Sequence, residues 1–208
     1  MPNYPWKIVM FWVLLFLSAA QAVRAQGTFT NLGFESPILP LAGIMPPQQA
    51  IPGWSAYVPN GFVFYNSLTL GGTALVIHDA SSPVFLPLIS SYSLQLINGL
   101  DGEIAAVGQI GEIPIGSRTV RFVATSLTPV VSFGGNPIAI QQFGSTARFT
   151  AFAGDVSAFA GQSGELRFSQ TGMLDGISFS ALPVPEPGPA ALFLAGAALV
   201  LSRKRMLR

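Results

Sequence analysis

Cysteine is absent from this chain, and that one gap removes disulfides, thiolate metal sites and a cysteine nucleophile together. Histidine is nearly absent: His78 stands alone, with Asp79 beside it, and no second imidazole exists to build a metal site or a relay. Charge is scarce, at 9% of residues. Between residues 26 and 182 there is no lysine, and the cations are Arg118, Arg121, Arg148 and Arg167. Against them stand Glu35, Asp79, Asp101, Glu103, Glu112, Asp155, Glu165 and Asp175. That stretch is therefore mildly acidic although the whole chain is formally +1. It offers no basic patch to a phosphate backbone, which argues against nucleic acid as a partner. Also missing are a Gly-x-Ser-x-Gly elbow, a His-Glu-x-x-His pair and a phosphate-cradling glycine loop.

Hydrophobic residues, by contrast, make up half the chain, and part of that share sits in two terminal runs. Residues 1–25 have the three parts of a secretory signal: a short head with Lys7, the apolar run Ile8 to Ala20, and Val23-Arg24-Ala25 as a small-residue cleavage site. Cleavage by signal peptidase is expected before Gln26. The apolar run is shorter than the roughly 20 residues a membrane span needs, which favours a cleaved signal over an anchor.

The second run follows Pro183-Val184-Pro185-Glu186-Pro187-Gly188-Pro189, where four prolines forbid helix and central strand. Ala190 to Leu201 is apolar, and Arg203, Lys204 and Arg205 come next. Twelve helical residues would reach about 18 Å, short of a hydrocarbon core of about 30 Å, so a span would lean on flanking residues. Basic residues on the cytoplasmic side would place the preceding domain outside the cytoplasm.

The order Val184-Pro185-Glu186-Pro187, short apolar helix, Arg203-Lys204-Arg205 resembles the PEP-CTERM sorting signal. That resemblance implies recognition by an exosortase, a membrane-embedded transpeptidase, and delivery to the cell surface of an exopolysaccharide-making bacterium. The expected organisation is a signal peptide over 1–25, a domain over 26–182 and a sorting tail over 183–208.

The middle reads as all-β. Runs rich in Val, Ile, Phe and Thr alternate with Gly, Pro, Asn and Ser clusters. Strands are predicted at 54–58, 62–65, 75–78, 93–97, 105–110, 119–125, 138–142, 147–152, 165–169 and 176–181. Val120, Phe122 and Ala124 share one face while Arg121 takes the other, as a half-buried antiparallel strand requires. About ten such strands in one domain predict an antiparallel β-sandwich.

Thr30-Asn31-Leu32-Gly33-Phe34-Glu35, Ile51-Pro52-Gly53-Trp54, Tyr92-Ser93-Leu94-Gln95-Leu96 and Leu174-Asp175-Gly176-Ile177-Ser178-Phe179 together resemble a galactose-binding-like, carbohydrate-binding-like jelly roll. The resemblance implies that Glu35 and Asp175 approach one another and, with backbone carbonyls, hold a structural calcium. Hard carboxylate and carbonyl oxygens are what that ion takes. The family often carries a second acid where this chain has Gly176.

The remaining candidates read as structure. Asp101 and Glu103 lie in the Gly-rich turn after Asn98, where Asn and Asp serve turn chemistry. His78 ends a strand, and Trp54 is expected in the core. Tyr57 and Tyr65 are candidates for lining a face. The expected function is non-enzymatic: an exported surface or matrix protein, anchored through its C-terminal helix, that binds or scaffolds extracellular polysaccharide. A secreted glycan hydrolase, with two carboxylates across a cleft, and a purely structural adhesin are the alternatives.

Overall fold

The computed structural model describes residues 28–68, 72–125, 129–169 and 172–184. The signal segment 1–25, Pro185, Glu186 and Pro187 of the sorting motif, the apolar run 190–201 and Arg203, Lys204 and Arg205 lie outside the described residues. Among the described residues no helix is long and apolar enough to cross a membrane.

The strands in chain order are β1 (Ile44–Met45), β2 (Ser55–Tyr57), β3 (Val63–Tyr65), β4 (Ala74–His78), β5 (Ser93–Ile97), β6 (Ala106–Glu112), β7 (Thr119–Ala124), β8 (Val130–Phe133), β9 (Asn136–Ile138), β10 (Ile140–Ser145), β11 (Thr150–Asp155), β12 (Ser163–Ser169) and β13 (Gly172–Ser180). The one-turn helix α1 (Pro47–Ala50) opens with proline where its missing N–H costs nothing. The strands form two sheets. The larger runs β1-β3-β4-β5-β13-β7-β11-β10 and the smaller β2-β6-β12-β8-β9. Every described pairing is antiparallel except β3 with β4, which run parallel. The protein is an all-β sandwich.

Alternation along the strands builds the core. Leu75 and Ile77 of β4, Leu94 and Leu96 of β5 and Val120, Phe122 and Ala124 of β7 point inward from one sheet. Leu166 and Phe168 of β12 and Phe133 of β8 answer from the other. Burying such alternating faces between two sheets is the main stabilising term of a sandwich. Trp54 sits in this core as expected: its ring lies 5.4 Å from Phe34 and 6.3 Å from Phe168, and its indole N–H donates to the Asn31 carbonyl at 3.0 Å. Buried aromatics of this kind need a partner for the polar edge, and Asn31 supplies it.

Four expected strands shift or divide. The run predicted at 138–142 is two strands in different sheets, with the chain crossing at Ala139 between Ile138 and Ile140. The strand predicted at 147–152 begins only at Thr150, because the Thr146 hydroxyl accepts from the N–H groups of Arg148 and Phe149 and closes a turn there. The strand at 165–169 begins earlier, at Ser163, paired with Glu112 of β6. The last strand begins at Gly172 rather than Gly176. Gly176 is instead the bulge that shifts its register against β7, at φ +58.

Candidate functional site

On the outer face of the larger sheet, His78, Ser93 and Asp175 should meet solvent, yet all three are buried. The cover is the connection from Asp79 to Tyr92, which folds back over β4, β5 and β13. The side chains beneath hold this flap at several points. The Leu88 N–H donates to the Ser93 hydroxyl at 2.8 Å, and that hydroxyl donates to Asp175 Oδ2 at 2.8 Å. The Ile89 N–H reaches the same oxygen at 3.2 Å. Glu35 accepts the N–H groups of Ser91 and Tyr92 at 3.1 and 2.9 Å. The Ile89 side chain lies against Gly176, where any β-carbon would collide with it. His78 contributes both ring nitrogens, at 3.0 Å from Ser82 Oγ and 2.8 Å from Gln95 Oε1, with Phe85 edge-on to its ring. Burial pushes the His78 imidazole below its ordinary value, against the hydrogen bond it makes to Gln95 Oε1 and the Asp79 charge.

Glu35 and Asp175 thus both accept from the Ile89–Tyr92 stretch of the flap. Burial raises the Asp175 carboxyl, three hydrogen bonds oppose that, and the Glu35 charge adds to the rise. A buried carboxylate beside a second one is an electrostatic situation that a proton or a cation relieves. For calcium the donor chemistry fits and the number falls short. Two carboxylates supply at most about four of the six to eight oxygens the ion takes. Each of their oxygens already accepts a hydrogen bond, and no third acidic or histidine side chain joins them among the described residues.

Between the two limbs of the flap opens a cleft of about 600 Å³, lined by Asp79 and Ser81 on one side, Leu86 to Tyr92 on the other, and Arg148 from the β10–β11 turn. Asp79 is fixed in place. It accepts from Tyr65 Oη at 2.7 Å, Asn66 Nδ2 at 2.7 Å, and the N–H and hydroxyl of Ser81 at 2.8 and 2.7 Å. Burial alone would raise its pKa, but the bonds from Asn66, Ser81 and Tyr65 outweigh that and hold it at about 2. Tyr65 therefore serves as a buttress rather than a platform. Arg148 donates through Nη2 to the Pro87 carbonyl, which ties the flap to the neighbouring turn.

The smaller sheet has its own polar group on the outside. The Arg167 guanidinium lies 4.1 Å from the centre of the Tyr57 ring, and the Tyr57 hydroxyl donates to Glu165. One face of this tyrosine is thus already taken by a cation.

A serine, a histidine and an aspartate on three adjacent strands invite comparison with a hydrolytic relay, and the bonds run otherwise. Ser93 gives its proton directly to Asp175, while His78 faces Ser82 and Gln95. Ser82 Oγ accepts from the N–H groups of Val84 and Phe85, which are thereby unavailable to an oxyanion. Asp101 and Glu103 lie in an exposed turn, where Asp101 accepts the Glu103 N–H at 3.2 Å. Neither lines the cleft.

No family model matches the chain, and no curated protein matches it. Among solved structures it is similar to the enzymatically active domain of tailspike protein 4 from bacteriophage CBA120, at 16% identity and a TM-score of 0.37. The match covers 74% of this chain and 21% of the tailspike chain, so the chain spans about a fifth of that neighbour. A likeness of that degree carries no argument about activity.

Proposed function

We propose that this chain is an exported, non-enzymatic protein of the cell surface or extracellular matrix, sorted by an exosortase, that binds or scaffolds extracellular polysaccharide. On this reading the sandwich is a galactose-binding-like jelly roll and the flap cleft is its sugar site. The observation that carries it is the cleft itself: an open groove with an apolar wall, convergent hydroxyls and one guanidinium, held over a network that fixes its shape. The sequence of the two ends supports export and sorting, with Val184 to Pro187 as the motif and Arg203 to Arg205 as the stop.

The hydrolase alternative gains less support. The cleft is lined by one carboxylate, Asp79, held ionised, whereas a glycosidase works with a pair, one of them protonated. A structural calcium at Glu35 and Asp175 belongs to the same reading and would need further backbone or water oxygens to complete its shell.

Two measurements test the proposal. Retention of the protein on the producing organism's own exopolysaccharide, above that of the heat-denatured protein, is expected; equal retention would remove the binding role. Mass spectrometry of protein from the native envelope should find an N-terminus at Gln26 and a changed C-terminus. Both ends intact in the cytosolic fraction would sink the sorting role.

A further inference from the structure

The lining of the flap cleft is uneven in one chemical respect. Its single carboxylate is engaged by neighbouring groups, and its guanidinium is largely free. Asp79 Oδ1 takes three donors and Oδ2 takes one. The backbone N–H groups of Ile89, Ser91 and Tyr92 point down into Asp175 and Glu35, so those two carboxylates are engaged beneath the floor. On the open side, the hydroxyls of Ser90, Ser91 and Tyr92 have no hydrogen-bond partner among the described residues. Arg148 uses one donor on Pro87, and its other guanidinium N–H groups have no partner there. Arg148 also makes no ion pair with Asp79.

A free fork of guanidinium N–H groups beside a carboxylate that is already engaged favours a negatively charged ligand. Guanidinium matches a planar carboxylate through two parallel hydrogen bonds, and serine and tyrosine hydroxyls serve ring oxygens and hydroxyls around it. The cleft's single carboxylate, Asp79, is committed internally and leaves Arg148 without a counter-charge. We propose, building on the polysaccharide reading above, that the flap cleft selects an acidic polysaccharide, with Arg148 taking the carboxylate of a uronic-acid residue and Ser90, Ser91 and Tyr92 its neighbouring oxygens.

The test is affinity electrophoresis of the full exported chain in gels containing polygalacturonate or neutral dextran, with a bare gel as reference. Retardation by polygalacturonate and none by dextran is expected. Arg148→Gln should weaken retardation at least about tenfold, the effect of losing a charge-assisted pair. Its melting temperature is recorded alongside, since Arg148 also ties down Pro87. Because that variant could lose the flap, the wild-type protein is also run while ionic strength rises from about 0.1 to about 1 M. That change shortens the screening length from about 10 to about 3 Å and should abolish retardation. Salt-indifferent binding, or a folded Arg148→Gln protein that binds as well as wild type, would overturn the inference. Equal retardation by both polymers would remove the acidic preference and leave the polysaccharide reading standing; retardation by neither would overturn the inference, while the retention test on the organism's own exopolysaccharide decides the broader reading.

Discussion

The Ser93 hydroxyl donates to the Asp175 carboxylate at 2.8 Å in a place where neither residue meets solvent. Through this contact, and through Glu35 from the opposite end of the domain, the last strand and the first segment hold one loop. Removing the acceptor strands the Ser93 hydroxyl and the N–H groups of Ile89 and Gly176. Asp175→Ala is therefore expected to cost about 3 kcal/mol, or roughly 6 to 12 °C in melting temperature for a domain of this size. Glu35→Ala, at an exposed position where water replaces the lost acceptor, should cost about 1 kcal/mol. Urea unfolding of the two variants checks the order; equal costs would mean that burial does not make Asp175 the stronger hold.

If the carboxylate pair holds calcium, millimolar ion should raise the melting temperature and a chelator should lower it, because an ion bound only by the folded state stabilises it by mass action. The expected gain in unfolding free energy is at least about 1 kcal/mol, lost in Glu35→Gln. An identical melt in calcium and in chelator leaves Glu35 and Asp175 as hydrogen-bonded latches alone.

Stability should also depend on pH, and three groups at the flap contribute with different signs. His78 is held below 6.5, so the fold favours its neutral form; that contribution is in place above 6.5 and is lost as pH falls below it. Asp79, at about 2 in the fold against 3.8, contributes above 3.8 and loses its share as pH falls toward 2. Asp175 has the opposite sign. Its raised value means a contribution present below 3.8 that is lost as pH rises through the folded value. The urea midpoint should fall between about pH 7.5 and 5.5, and His78→Gln should flatten that slope. A slope unchanged in the variant would assign the effect to another group.

Trp54 packs against Phe34 of the N-terminal segment and Phe168 of the smaller sheet and is the only tryptophan between the two terminal segments. Trp54→Ala should cost about 3 to 5 kcal/mol by the cavity it leaves. Trp54→Phe should cost less, about the hydrogen bond to Asn31 plus a smaller void. Denaturant unfolding measures both, and a Trp54→Ala cost below about 1 kcal/mol would contradict its place in the core.

The sandwich was legible because its strands alternate. Ser93–Ile97 and Thr119–Ala124 lie where period two puts them, and Arg121 faces out as its pattern requires. β1 and the β8–β9 hairpin were not legible: β1 has two residues, and β8 and β9 meet at Gly134-Gly135, both at positive φ, a hairpin signal inside a run too short to stand out. Glu35 and Asp175 were found through motifs flanking them. The Asp79 network and Arg148 were not, since Tyr65, Asn66, Ser81 and Arg148 share no spacing, and only the folding back of the flap brings them to one cleft. That His78 and Ser93 are buried on an outward face also follows from the flap, which no periodicity announces.

β13 is the last strand of the domain, yet it lies inside the sheet, paired with β5 on one side and β7 on the other. Just beyond it the Leu182 and Pro183 carbonyls accept from Thr119 and Arg121. Should the tail tether the protein as proposed, drag on the domain would pull along the length of this strand rather than peel an outer one. Its two ladders would then share the load in shear, so the place where the chain leaves the fold is also where it best resists mechanical extraction.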